Sequence, residues 1–343
     1  MNSRPIAVLG TGLVTSVGRT TAACCCAFRA KIANPFETSF IDSSGAWIMA
    51  HQVEFDRPCT GLPKLATMAA LAIEEALQDI NRDQWRRLPM LLCVAETERP
   101  GRMAGLDDLL LKQIQGELGV SFASSSAVVP HGRVSVAMAL AQARTLLESA
   151  KIPGVLIVSA DSLLSWPALS HYERENRLLT ESNSNGFMPG EGAGALWVGG
   201  GEGRSPQLLC TGIGFGHELA HIDSGEPLRA EGLTNAIKAS LNDGGRQLHD
   251  MDFRITDNSG EQYYFKEATL ALSRTLRQRK EAFDIWHPAE CTGEAGAASG
   301  VAVVATAREA CLKGYAPGPN ILTHWANDAG QRAAVTLEFW KTT

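Results

Sequence analysis

Apolar residues in this chain fall into short unbroken blocks, and between the blocks they recur at helical spacing. Ile6 to Leu9, Pro89 to Ala95 (PMLLCVA) and Gly154 to Ala160 (GVLIVSA) are continuous apolar runs ended by Gly or Asp. Such runs predict strands buried on both faces. Thr20 to Ala30, Met68 to Asp79 (MAALAIEEALQD), Leu106 to Leu118 and Val136 to Ala150 repeat their apolar residues with a period near 3.6 and predict helices. The opening therefore reads strand, tight turn at Gly10-Thr11-Gly12, then helix, and the alternation that follows predicts an α/β protein.

A polar stretch, Glu173 to Asn185, leads into Gly186 to Val198, where closely spaced glycines enter a strand. Gly199 to Pro206 then holds four glycines, a Ser and a Pro in eight residues, the sharpest composition shift in the chain. The boundary between two halves is placed there, giving 1–202 and 203–343. The second half repeats the grammar of the first: strand Gln207 to Ile213, helix Glu231 to Leu241, strand Phe253 to Thr256, helices Lys266 to Gln278 and Ala295 to Lys313, and strand Ala333 to Phe339.

Composition narrows the function. The 343 residues include 45% hydrophobic and 20% charged residues, and 31 Lys plus Arg against 37 Asp plus Glu give a net charge of −6. With no basic run to follow phosphates, nucleic-acid binding is not expected. No apolar stretch reaches the roughly 18 residues of a membrane span, and the N-terminus lacks a signal-peptide pattern, so a soluble cytoplasmic protein is expected. The eight cysteines sit mostly in apolar runs, as reduced core residues do. Cys24, Cys25 and Cys26 are adjacent, and neighbours on a helix point about 100° apart, so the three cannot converge on one metal ion.

Motif by motif, familiar chemistry is missing. Gly10-Thr11-Gly12 lacks the third glycine of a dinucleotide fingerprint, and neither a phosphate-binding P-loop nor a G-x-S-x-G elbow occurs. No cofactor is expected. His217-Glu218-Leu219-Ala220-His221 matches the H-E-x-x-H zinc pattern, which needs a helix to bring both imidazoles to one face. Gly212, Gly214 and Gly216 precede it and Gly225 and Pro227 follow, so a loop is predicted and no metal site is expected.

Two stretches carry a family resemblance: Ile6-Ala-Val-Leu-Gly-Thr-Gly-Leu-Val-Thr-Ser-Val-Gly18 and Asn185-Gly-Phe-Met-Pro-Gly-Glu-Gly-Ala-Gly-Ala-Leu196. In order and spacing they resemble the opening strand and the GEGAGAL segment of the β-ketoacyl synthases. Thr292-Gly-Glu-Ala-Gly-Ala-Ala-Ser-Gly-Val301 resembles that family's TGHxxGAAG segment. The resemblance implies an α/β thiolase-like fold, two similar βαβαβαββ halves in five αβαβα layers, usually paired as a homodimer through a continuous sheet edge.

Active members use a cysteine at a helix N-terminus and two histidines, and this sequence departs at all three. Matching the helix from Val136 puts the cysteine position on Arg133 or Val134, with Ser135 the nearest conventional nucleophile. The first histidine falls on Asn258, which cannot exchange a proton in its place, and the second on Glu294, whose charge would oppose an enolate. The family lysine falls on Ala289, and Thr323 to Gly330 stands where a glycine-rich gating loop is expected. Arg133, Val134, Ser135, Asn258 and Glu294 are thus named as positions of a lost site, with no catalytic residue expected. His131, Arg133, Glu191, Asn258 and Glu294 are expected to satisfy one another, with an Arg133–Glu294 pair in place of Cys and His; a separation beyond about 8 Å would exclude that pair.

The preferred expectation is a non-catalytic scaffold, adaptor or partner subunit in a bacterial assembly, as for ketosynthase-like proteins associated with type VI secretion. Its partner would be a second copy, a secretion effector, a ketosynthase or an acyl carrier protein. The alternatives are a chain-length-factor-like partner of an active ketosynthase, an acyltransferase or condensing enzyme with a displaced nucleophile such as Ser135, and a zinc hydrolase on His217, Glu218 and His221.

Overall fold

The computed structural model describes residues 4–149, 152–201 and 206–341. Its first elements are β1 (Ile6–Thr15), α1 (Thr21–Ala30), the hairpin β2 (Phe36–Ile41) and β3 (Trp47–Ala50), α2 (Gly61–Ala76), β4 (Met90–Cys93), α3 (Leu110–Leu118) and β5 (Ala127–Val129). Next come α4 (Ser135–Ser149), β6 (Val155–Ser162), α5 (Trp166–Arg174) and β7 (Glu191–Gly200). The later elements are β8 (Gln207–His217), α6 (Glu231–Asp243), β9 (Phe253–Thr256), α7 (Gln262–Thr275), β10 (Ile285–Trp286), α8 (Ala289–Thr292), α9 (Ala298–Leu312), β11 (Asn320–Ala326) and β12 (Gln331–Trp340). Among them no helix is long and apolar enough to cross a membrane.

The strand order β10-β9-β11-β12-β8-β1-β7-β6-β4-β5 contains the same arrangement twice. Outward from the centre, β1-β7-β6-β4-β5 and β8-β12-β11-β9-β10 each run first, fifth, fourth, second, third strand. In both sets the fifth strand alone is antiparallel to its neighbours. The sets meet where β1 pairs with β8, from Ile6 opposite Cys210 to Val8 opposite Leu208. The boundary expected between residues 202 and 203, and Ala150 at the end of a predicted helix, lie outside the described residues.

Helices α4 and α9 lie between the two strand sets and share one apolar core with both. Val301, Val303 and Val304 of α9 are all buried, because a helix with a sheet on each side has no solvent face. Helices α2 and α3 cover the outer face of the first set and α6 and α7 that of the second. The fold is thus a five-layer αβαβα arrangement.

One expectation fails at the start. Gly10-Thr11-Gly12 is not a turn: β1 runs straight through it to Thr15, paired with β7 all along. The glycines are there because α2 lies directly on the strand. A Cβ on Gly10 would sit 2.2 Å from the Ala76 carbonyl oxygen, and one on Gly12 only 1.8 Å from that of Ala72. Gly212, Gly214 and Gly216 do the same for β8 beneath α6, within about 2 Å of the Ser240, Ala236 and Gly232 carbonyls. Hydrophobicity also missed the short or amphipathic elements β2, β3, β5, α5 and β10, and missed β11, whose apolar run is interrupted by Thr323 and His324.

Candidate functional site

The central helices α4 and α9 begin close together, and their first turns form the floor of a cavity of about 400 Å³. Ahead of α4, Gly132 has φ +55° and leaves no room for a Cβ against the Glu96 carboxylate. Arg133 follows it in a short 3-10 turn and points into the cavity. Ahead of α9, the Glu294 carboxylate accepts the Gly296 N–H (3.0 Å) and Asp161 accepts that of Ala297 (2.9 Å). Carboxylates at this end of a helix complement its dipole.

Arg133 and Glu294 pair directly, Nη1 to Oε2 at 3.1 Å, well inside the distance that would have excluded the pair. The arginine also meets Asp328 at 3.0 Å and Asp257 at 3.8 Å, and its guanidinium lies over the Tyr264 ring, 4.4 Å from the centroid. Arg177 repeats the pattern: it donates two bonds to Glu261 (2.7 and 2.9 Å) and two to Asp328 (2.8 and 3.2 Å). Arg99 clamps Asp161 at 2.5 and 2.8 Å. Tyr264 donates to Asp328 as well. Asp328 therefore joins two arginines and a tyrosine, from the tight turn between β11 and β12 that Asn327 and Gln331 close.

Burial disfavours the charge on Arg133, but Glu294, Tyr264, Asp257 and Asp328 outweigh it and hold the pKa well above the ordinary arginine value. Burial likewise opposes the Asp328 charge, yet Arg177 and Arg133 hold this carboxyl below the usual carboxylate range. Asp257 goes the other way: burial lifts it to about 7, aided by Glu294 and only partly offset by Arg133. Burial also lifts Glu96 to about 7 against the pull of Arg99. A carboxyl raised in the folded chain binds its proton more tightly there than when unfolded. Asp257 and Glu96 thus support the fold most fully below the ordinary carboxylate range and lose that support as pH climbs through about 7. Asp328 does the reverse, losing its support as pH falls through the carboxylate range. Stability should therefore peak on the acid side of neutrality. Thermal melting followed from about pH 5 to pH 8 is expected to show a falling midpoint, with a shallower fall in Asp257→Asn; equal slopes would remove Asp257 from this account.

The remaining expected positions divide. Ser135 is fully buried, donates to the Val129 carbonyl (3.0 Å) and accepts the His131 N–H (2.9 Å); it serves the turn into α4 and faces no base. Val134 lies in the central core. Asn258 is close by but does not take the histidine's place: its side-chain nitrogen has no partner, while its neighbours Asp257 and Ser259 reach Arg133 and Glu294. His131 meets Gln331 at 3.2 Å. Glu191 belongs to a separate buried pair with Lys64. Ala289 is buried in α8, away from the cavity. His217 ends β8, and Glu218 accepts the N–H groups of Ala220 and Gly232, so the H-E-x-x-H residues do not share a helix face.

Sequence reasoning missed Arg99, Asp161, Arg177, Glu261, Tyr264 and Asp328. Asp161 had a readable signal, a carboxylate at the end of the buried strand that begins at Gly154, the strand end where α/β proteins place functional groups. The cavity holds no thiol and no unengaged imidazole on its floor. An arginine does not lose its proton near neutral pH and cannot attack a thioester, and the surrounding carboxylates disfavour an enolate.

No family model and no curated protein matches this sequence. Solved structures do match it over nearly the whole fold. A chain from a type II polyketide synthase complex, an acyl-carrier protein with its ketosynthase bound to the hexaketide, superposes with a TM-score of 0.79 at 15% identity, covering 98% of this chain and 99% of that one. The ishigamide ketosynthase/chain length factor gives 0.79 at 16%, covering 98% and 100%. A β-ketoacyl synthase from Burkholderia phymatum STM815 gives 0.75 at 14%, covering 98% and 100%. The chain has the thiolase-like fold that these ketosynthases share.

Proposed function

We propose that this chain is a non-catalytic ketosynthase-fold subunit that acts by binding protein partners in a bacterial assembly. The observation that carries this reading is Arg133 held by Glu294, Asp328 and Asp257 at the mouth of the central helix, where the fold's enzymes place a thiolate. All eight cysteines are free, as suits a reducing cytoplasm. β5 lies at the end of the sheet, paired only with β4, and we assign its outer edge to a second copy of the chain. Solved neighbours include ketosynthases described with a chain length factor or an acyl-carrier protein, which favours a homologous chain or a carrier as the further partner.

The test is intact-protein mass spectrometry after incubation with acyl-CoA and acyl-carrier donors. No covalent adduct is expected on the wild type. Arg133→Cys should remain unacylated too, because Glu294, Asp257 and Asp328 would surround the new thiol and raise its pKa. A stoichiometric adduct on the wild-type chain would end the non-catalytic reading. Light scattering should give twice the 36.7 kDa chain mass, and a monomer would remove the β5 pairing.

A further inference from the structure

A second cavity of about 320 Å³ opens between the end of α1, the edge strand β10 and the chain that follows α9. It shares no lining residue with the Arg133 cavity. Its walls are aromatic. Trp286 of β10 is nearly parallel to Tyr315, 6.2 Å between centroids and 24° between planes, and half-buried Phe28 of α1 lines the same space. Aromatic walls with few polar groups are the usual lining of small-molecule sites, and this volume lies at the lower end of their range.

The polar groups are few and differ in kind. His287 is nine-tenths buried, with 10% of its side chain exposed. Its Nδ1 lies 3.2 Å from the Glu290 carboxylate, which can only accept, so Nδ1 carries the hydrogen and Nε2 presents a lone pair. That Nε2 is buried and has no partner. Burial lowers the His287 pKa, only partly offset by Glu290, and so favours the neutral ring with this lone pair free. A buried acceptor without a partner costs stability unless something fills the position, and what fits is a ligand N–H or O–H.

The mouth is basic. Arg29 extends over the Tyr315 ring at 4.5 Å, and Lys31 meets Glu290 at 3.4 Å in a pair whose side chains are 78% and 47% exposed. An exposed pair of that kind is weak and exchanges readily for another anion. We propose that this cavity binds a small aromatic anion: a flat ring packed against Trp286, Tyr315 and Phe28, a ring N–H or O–H donated to His287 Nε2, and a carboxylate or phosphate facing Arg29 and Lys31. A purine nucleotide and a phenolic acid both have this chemistry.

Calorimetric titration of the full chain separates them, with AMP and 4-hydroxybenzoate as probes. Adenosine, which has no acid, and benzoate, which has no donor, are the controls. Saturable binding of one acid is expected, weaker by about tenfold for its control, the effect of losing one hydrogen bond or ion contact. AMP alone would point to a nucleotide and 4-hydroxybenzoate alone to a phenolic acid, and both support the site. His287→Phe keeps a ring against Phe265 and should abolish the preference for a donor. Arg29→Glu with Lys31→Glu, both at the surface, should weaken binding at least about tenfold without changing the melting point. The proposal fails if neither acid saturates by about 5 mM, a concentration that detects even millimolar affinity. It also fails if binding is unchanged in both variants.

Discussion

Arg133→Met is expected to lower the thermal midpoint by about 5 °C or more, a large effect for a substitution that keeps most of the side-chain volume. The arginine side chain is only 6% exposed, and three carboxylates face it. Asp328 keeps Arg177 and Tyr264 as partners after the change, but Glu294 loses its only ion pair and Asp257 its only nearby cation. Removing one member of a buried ion pair costs about 3–5 kcal/mol, because the charge left behind stays desolvated and unpaired. Spread over the unfolding entropy of a chain this long, that loss is about 4–7 °C. Adding Glu294→Gln to Arg133→Met should recover part of the loss, since the pair is then replaced rather than broken. If Arg133→Met alone melts with the wild type, the cluster is not holding the ends of α4 and α9 together.

The same cluster shows what was legible in the sequence. Arg133 and Glu294 could be paired in advance, because each sits at the start of a central helix and both starts were located by glycines and apolar periodicity. Asp328, Arg177 and Glu261 could not be. Asp328 is 195 residues from Arg133 and 151 from Arg177, and a polar residue in a turn carries no mark of the partner that the fold brings to it. Asn258 shows the limit of matching by register. One residue either way, at Asp257 or Ser259, the side chain reaches the cluster, whereas Asn258 itself does not. The buried strands and long helices were readable because hydrophobic periodicity reports burial directly. β11 was not, because its Thr323 and His324 are buried polar residues that break the apolar run.

Gly10 and Gly12 were misread for a different reason, and they lead to the second large effect, the loss of the fold on Gly12→Ala. A glycine pair after an apolar run suggests a turn, since the sequence shows the missing side chain but not what occupies its space. Here the occupant is the backbone of α2. A methyl at Gly12 would lie 1.8 Å from the Ala72 carbonyl oxygen and 2.7 Å from its carbon, distances that no rotamer can relieve. Either β1 or the whole of α2 must shift. β1 is paired with β7 on one side and β8 on the other, and α2 carries Leu65, Met68, Ala69 and Ile73 into the outer core, so neither moves alone. Overpacking usually costs about 1–3 kcal/mol where side chains can adjust, and a clash between two main chains belongs above that range. Gly12→Ala should therefore express mainly as insoluble protein, and Gly216→Ala, whose Cβ would meet the Gly232 carbonyl at 2.0 Å, should do the same from the other strand set. Gly116→Ala on α3 is the control, because its Cβ would meet nothing within 4 Å and alanine favours the helix. A soluble Gly12→Ala protein with the wild-type melting point would mean that α2 does not rest on β1, and with it the shared logic of the two outer helices would fall.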